Sequence, residues 1–509
     1  MLLLDLITFI VGFVVFGACS GEAAEKKVSK ATESMTQDQM VRLSAAEAAR
    51  LIKCGALSST ALTKALLARV EQYSDLHAFI TVNAKEALAA AAAADRRGKG
   101  QRKGLLYGVP LVIKDNTHVA KLPNTAGTPG LKNYVPKKNA PVIQALVDEG
   151  AIILGKTNMH ELAFGIRSNN AGFGVVANPY DTTLSPGGSS GGTGSAVAAL
   201  LAPAGLGTDT GGSVRVPAAL CGLAGLRPTL KRYSQEAITP IASTRDTAGP
   251  MARTVEDLVL LDSAITKDRS SVVPADLREV KLGIPKDYWA DVDNESAALA
   301  RSALERLRKA GVILVDVNMD SIRSLNDQVG FPVAFFEGNK DIKAYLAKYV
   351  PGLTLDALAK QIASPDVFGT FRDFIVDGAP KATPAAVYEK AVNALRPQLK
   401  QQFADLFKQN GIDAIIFPTT PLPATKIIGS DETVDVNGKP FPTFPTYIRN
   451  EDPGSNAGIP GITVPLALTA VGLPVGLGLD GPEGSDRRLL SLGLALERVF
   501  GRIPEPLLP

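Results

Sequence analysis

Two serines lie in separate glycine clusters 24 positions apart, Ser189 in GGSSGG and Ser213 in DTGGS. Glycine beside a serine can take positive φ and lets another backbone or a ligand approach the hydroxyl closely. A helix-prone run, Gly194 to Leu201, follows the first cluster, and the apolar run Arg215 to Cys221 follows the second. Backbone N–H groups at such loop-to-helix junctions have no intrahelical partner, so they can face an anion or a developing oxyanion. Hydroxyls and oxyanion donors in one unit suit nucleophilic attack on a carbonyl. Apolar residues between the clusters argue against a flexible Gly/Ser linker. Phosphate cradling is disfavoured because the stretch has neither GxxxxGK[ST] nor GxGxxG.

A serine nucleophile needs a base. The chain has three histidines, His77, His118 and His160, and none follows Ser213. That order excludes a nucleophile elbow with a late histidine, although His118 and His160 could still be recruited in space. Lysine is the alternative, provided the amine stays neutral. Lys114 ends the apolar run Val109 to Ile113, which predicts a buried strand. Open α/β sheets gather their sites at such C-terminal strand ends. Burial and a neighbouring cation would lower the lysine pKa and leave neutral amine at working pH. The other reading of this segment is a surface lysine paired with Asp115.

Taken together, Lys114, Ser189 and Ser213, set in GVPLVIKDN, GGSSGG and GTDTGGSVRVPAALCGLAGLRPT, resemble the amidase signature family of serine hydrolases. The resemblance runs from about Gly108 to Asp262 and resumes in FPTTPLPA, NAGIPGITVP and GLPVGLGLDGPEGSDRRLL. It implies an acyl-enzyme on Ser213, with Ser189 relaying the proton between Ser213 and Lys114. In the family the relay serine follows a cis peptide bond, here Gly188 to Ser189. The implied oxyanion hole is the backbone of Thr210, Gly211, Gly212 and Ser213, and Ser190, Asp209 and Arg215 match supporting positions. Arg215 would add positive potential near Lys114. The family uses no cofactor.

Within the family, GKTNMHELAFGIRSNNAGFG, STRDTAGPMARTVEDL and LDGPEGSDRRLL look most like the mandelamide and indoleacetamide hydrolase group. The function this implies is hydrolysis of a small aryl-substituted primary amide to acid and ammonia. The alternatives are a peptide C-terminal amidase, a transamidase-type amidase subunit and a non-catalytic binding protein. The middle segment Asp268 to Lys400 carries no signature motif. Its aromatics Trp289, Phe331, Phe335, Phe336 and Tyr345 are candidates for the acyl pocket or for core.

The elements that must position these residues alternate. Ala45 to Glu71 and Ala84 to Arg97 have helical composition, and Pro110–Lys114 and Ile152–Leu154 read as strands around a helix at Pro141–Glu149. Leu282–Pro285, a helix over Ser296–Ala310 and Val312–Val317 repeat the theme. The expectation is an α/β fold, a single large domain over 40–509 with a mixed β-sheet covered by α-helices. A chain of 509 residues with 45% hydrophobic content can bury a large core. Its 54 basic and 51 acidic residues balance to +3, which points away from nucleic acid. Cys19, Cys54 and Cys221 form no disulfide framework, and His and Cys show no metal-ligand spacing. The expected partner is a small-molecule amide.

The first 19 residues bear on compartment. The charge-free, largely apolar run Leu6 to Ala18 is short of a spanning helix and fits a signal h-region. FGACS resembles a lipoprotein cleavage box in which Cys19 would be lipidated, although no Lys or Arg precedes the run. Residues 1–19 are thus expected to be a signal or membrane anchor, with 20–39 a polar tether. The protein would be exported, periplasmic or membrane-attached, and cytoplasmic if 1–19 is not a functional signal.

Overall fold

The computed structural model describes residues 35–508. The expected signal and most of the tether lie outside these residues. The end of the tether differs from expectation: Gln37–Val41 is a helix. Thr36 Oγ1 accepts from the Gln39 amide at 3.2 Å and Gln39 Oε1 accepts from the Thr36 amide at 2.9 Å. This reciprocal cap satisfies two donors that a helix start leaves open, so ordered structure begins by Thr36.

Eleven strands form one mixed sheet: β1 Phe79–Val82, β2 Pro110–Lys114, β3 Ile152–Thr157, β4 Ala204–Asp209, β5 Ala224–Arg227, β6 Thr247–Ala252, β7 Lys281–Pro285, β8 Ile313–Val317, β9 Ala414–Pro418, β10 Gly461–Leu468 and β11 Pro474–Asp480. Their spatial order is β1-β3-β2-β4-β6-β5-β10-β11-β9-β7-β8. β3, β2 and β4 run parallel, as do β9, β7 and β8, and the strands between these blocks pair antiparallel. Every residue of β2, β3 and β4 is buried, as expected for parallel strands covered on both faces. The chain is thus the expected single α/β domain, with helices packed on a large mixed sheet.

The helix after the first serine cluster starts at Gly191, three residues before the sequence suggests. Glycine normally weakens a helix, but here close packing requires it. A Cβ on Gly192 would lie 2.2 Å from the Asn158 carbonyl oxygen.

The middle of the chain is largely helical. It includes the 30-residue helix Asp320–Tyr349 and the short helix Pro365–Thr370. Ile342, Tyr345, Leu346 and Phe371 form a second apolar cluster with Leu131 and Leu162. Among the described residues no helix is long and apolar enough to cross a membrane.

Candidate active site

Lys114 is the last residue of β2, and β4 runs parallel beside it in the register Val112 to Gly205 and Ile113 to Leu206. Both strands therefore deliver their C-terminal ends to one side of the sheet. The Lys114 amine lies 2.7 Å from Ser189 Oγ and 2.8 Å from Thr208 Oγ1. Thr208 is itself held by Asn116, whose Nδ2 donates to Oγ1 at 3.0 Å. The Gly188–Ser189 peptide is cis. The Ser190 amide donates to the Ser213 carbonyl at 3.2 Å, which ties the two serine loops together. Ser190 Oγ donates to the Thr208 carbonyl at 3.1 Å and accepts from the Thr208 amide at 3.2 Å. Its hydroxyl therefore clamps the loop to β4. Lys114 and Ser189 are fully buried, whereas Ser213 opens onto a pocket.

Burial lowers the Lys114 pKa to about 7, against the pull of the Asp209 and Asp246 carboxylates. The expected cation is not among the groups that act on it. Arg215 is taken up by Asp209 at 3.1 Å, by Glu451, and by Asp480 at 3.4 Å. The surface pair with Asp115 does not form either. Asp115 is buried and pairs with Lys156 at 2.9 Å.

Asp209 organises the turn between β4 and Ser213. Its carboxylate accepts from the Gly212 amide at 2.8 Å and the Val214 amide at 3.2 Å, and Arg227 donates to it at 3.0 Å. Burial alone would raise its pKa, but Arg215 and Arg227 outweigh that and hold it well below the carboxylate range. One expectation is corrected here. The Gly212 amide is turned to Asp209 to close the turn, so it is not free for an oxyanion. Thr210, Gly211 and Ser213 remain of the expected donors.

Several residues of the site were not singled out from the sequence, although most of them lie within the motifs quoted above. Arg245 Nε donates to the Thr210 carbonyl at 2.8 Å, and Nη1 donates to the Gly330 carbonyl at 3.1 Å. Arg245 also pairs with Asp452. A Cβ on Gly211 would lie 2.9 Å from both Arg245 Nη2 and Asp452 Oδ1, so this pair packs directly on the turn. Asp246, raised to about 6 by burial, accepts from Thr210 Oγ1 at 2.7 Å. Thr208, Asn116, Arg245, Asp246 and Asp452 are single residues whose roles arise only when β2, β4 and the 445–457 segment meet.

The pocket beside Ser213 has a volume of about 240 Å³. Of the five aromatics singled out, Phe331 and Phe335 line it, with ring centroids 5.5 Å apart. The other three are packing residues. Phe336 stacks on Tyr388 at 4.0 Å, Trp289 Nε1 donates to the Ile416 carbonyl at 3.0 Å, and Tyr345 OH meets His118 Nε2 at 2.8 Å. Phe164 and Phe444 complete the apolar wall and were not foreseen.

Neither histidine serves as the base for Ser213. Burial lowers the His118 pKa to about 4, and its ring lies among Tyr134, Tyr345 and Tyr349. His160 reaches the pocket, but its backbone N–H donates to the Ser189 carbonyl at 3.1 Å and its Nε2 meets Asp366 at 2.9 Å. No cluster of potential metal ligands occurs among the described residues.

The sequence profile of the Amidase family matches residues 61–490. The chain belongs to the Amidase family. This amidase is 42% identical over 482 residues to a mandelamide hydrolase of Pseudomonas putida, covering 92% of this chain and 94% of that protein. It is 41% identical over 442 residues to an indoleacetamide hydrolase of Rhizobium radiobacter, covering 86% and 93% respectively. Among solved structures, the native peptide amidase of Stenotrophomonas maltophilia superposes with a TM-score of 0.77 at 28% identity, covering 92% of this chain and 99% of that one. The amidase is an amide hydrolase.

Proposed function

We propose that this amidase hydrolyses a small aryl-substituted primary amide to acid and ammonia through an acyl-enzyme on Ser213. The observation that carries the reading is the buried Lys114 amine, with a pKa near 7, hydrogen-bonded to Ser189 beside a serine that opens onto an aromatic-walled pocket. Neutral Lys114 takes the Ser189 hydroxyl proton, and Ser189 Oγ takes the Ser213 proton as Ser213 Oγ attacks the amide carbonyl. The tetrahedral oxyanion is met by backbone N–H groups of Thr210, Gly211 and Ser213. The intermediate collapses as Ser189 passes a proton to the departing nitrogen, which leaves as ammonia. Water then cleaves the acyl ester through the same relay run in reverse.

The pocket supports an aryl acyl group. Phe331 presents a partly exposed ring to it, and Phe164, Phe335 and Phe444 add apolar surface around that ring. The identity to a mandelamide hydrolase and an indoleacetamide hydrolase points the same way. Ammonia release from phenylacetamide, mandelamide, indole-3-acetamide and a C-terminal peptide amide tests the reading. The aryl amides should give the higher kcat/KM, and preference for the peptide amide would refute it. We also propose that residues 1–19 direct export, supported by the apolar run and the FGACS box. Recovery of unprocessed protein from the cytoplasm of its host would overturn that.

A further inference from the structure

A substrate in the Ser213 pocket must satisfy the polar groups that its wall leaves open. Side-chain donors on that wall are already committed. Thr210 Oγ1 donates to Asp246 at 2.7 Å, Thr443 Oγ1 to the Ser430 carbonyl at 2.8 Å, and Thr370 Oγ1 to the Asp366 carbonyl at 3.0 Å. His160 Nδ1 accepts from the amides of Ser168 at 3.2 Å and Arg167 at 3.4 Å. Its proton must therefore sit on Nε2, where it is donated to Asp366 Oδ2 at 2.9 Å. Arg245 is bound to two carbonyls and Asp452, as described above.

Arg167 is the remaining cation. Its Nη2 donates to the carbonyls of Lys426 and Ile427 at 2.5 and 2.7 Å, and Asp431 lies 3.7 Å from Nε. Nε and Nη1 make no hydrogen bond, but they are closed off from solvent in a side chain only 5% exposed.

What the wall does offer is a carboxylate. The Asp366 side chain is 49% exposed although Oδ2 is engaged by His160. Burial works against its charge, but His160 and the amides of Val367 and Asp366 hold its pKa below the usual value, so it is ionised at neutral pH. An ionised carboxylate accepts about four hydrogen bonds and donates none. Asp431, at the same pocket, is already engaged: its Oδ1 accepts from Asn169 Nδ2 at 2.8 Å and faces Arg167 Nε at 3.7 Å.

We propose that Asp366 is a specificity residue that selects, among aryl primary amides, those whose acyl group carries an N–H or O–H donor or an ammonium. This rests on the aryl amide reading above and adds a polar requirement to it. Charge-assisted hydrogen bonds are the stronger kind. A half-exposed carboxylate should therefore favour a donor over its methylated counterpart by about tenfold in kcat/KM. Like charge opposed to it should be rejected more strongly, by about a hundredfold against the matched cation.

Two substrate pairs test this with the full-length protein: indole-3-acetamide against 1-methylindole-3-acetamide, and (4-aminomethylphenyl)acetamide against (4-carboxyphenyl)acetamide. The first member of each pair should be favoured in the wild type. In Asp366→Asn the cation-to-anion ratio should shrink, and in Asp366→Ala both ratios should fall to within about threefold of one. Each ratio is taken within one protein sample, so loss of folded protein cancels. Equal use of both members, preference for the carboxylate as an Arg167 contact would give, or a preference that survives Asp366→Ala would overturn the proposal. Hydrolysis of phenylacetamide without any donor preference overturns this proposal alone. Hydrolysis of none of the aryl amides overturns the aryl reading and this proposal with it.

Discussion

The pH dependence of turnover follows from how Lys114 is held. Burial brings the amine from 10.5 to about 7, so near pH 7 half the molecules carry a neutral base. An unshifted lysine would be neutral in only about 0.03% of molecules at pH 7, roughly 1,500-fold fewer. kcat/KM for phenylacetamide should be level above pH ~8 and fall about tenfold per unit below pH ~6 as the amine takes up its proton. Warming separates the groups that could cause such a limb, because an amine pKa falls steeply with temperature and a carboxyl pKa barely moves. Asp246, raised to about 6, is the carboxyl that would otherwise compete for the assignment.

The same shift links pH to stability. Between about 7 and 10.5 the folded protein holds Lys114 neutral while the unfolded chain holds it charged. The unfolded state binds the extra proton, so stability is fully present above 10.5, declines on descent through that window and levels off below about 7. Lys114→Met removes the titration and keeps the bulk. Relative to that variant, the wild type should lose about 3 kcal/mol in urea unfolding between pH ~9.5 and ~7.5. A kinetic limb centred above pH ~9, a limb unmoved by warming, or identical pH slopes for the two proteins would refute the argument.

Three other outcomes are expected. Ser189→Ala should keep substrate binding but lower kcat by about two to four orders of magnitude, read by ammonia release, because the proton path between Ser213 and Lys114 is cut. Arg215→Met should leave the buried carboxylates of Asp209, Glu451 and Asp480 without their main cation, at a cost of about 3–5 kcal/mol seen in urea titration. Wild-type stability in that variant would show the cluster to be indifferent. Gly192→Ala should reduce soluble yield and thermal midpoint, since its Cβ would lie 2.2 Å from the Asn158 carbonyl oxygen. An unchanged midpoint would show that the loop yields.

What was legible in the sequence was local. Lys114 could be found because an apolar strand ends on it, and Ser189 and Ser213 because glycine clusters frame them. β2 was placed correctly from its unbroken apolar run, and the helix–strand alternation gave the fold class. What was hidden depends on residues far apart in the chain. Arg245 reaches Gly330 and Asp452, and His160 reaches Asp366, across separations that no local pattern encodes. The electrostatics of Lys114 were misjudged for the same reason. Arg215, which the family resemblance set beside Lys114, is engaged by Asp209 and by Glu451 and Asp480 from the C-terminal part of the chain. The Gly212 amide was counted as an oxyanion donor because sequence cannot show that Asp209 claims it.

Acylation of Ser213 is the claim on which the rest depends, and labelling by a fluorophosphonate tests it most directly. Ser189, Ser190 and Ser213 fall in one tryptic peptide, between Arg167 and Arg215, so fragmentation must locate the adduct. The account predicts a single adduct on Ser213, absent in Ser213→Ala and formed far more slowly in Lys114→Met. An adduct on Ser189, or labelling that persists in Ser213→Ala, would contradict it.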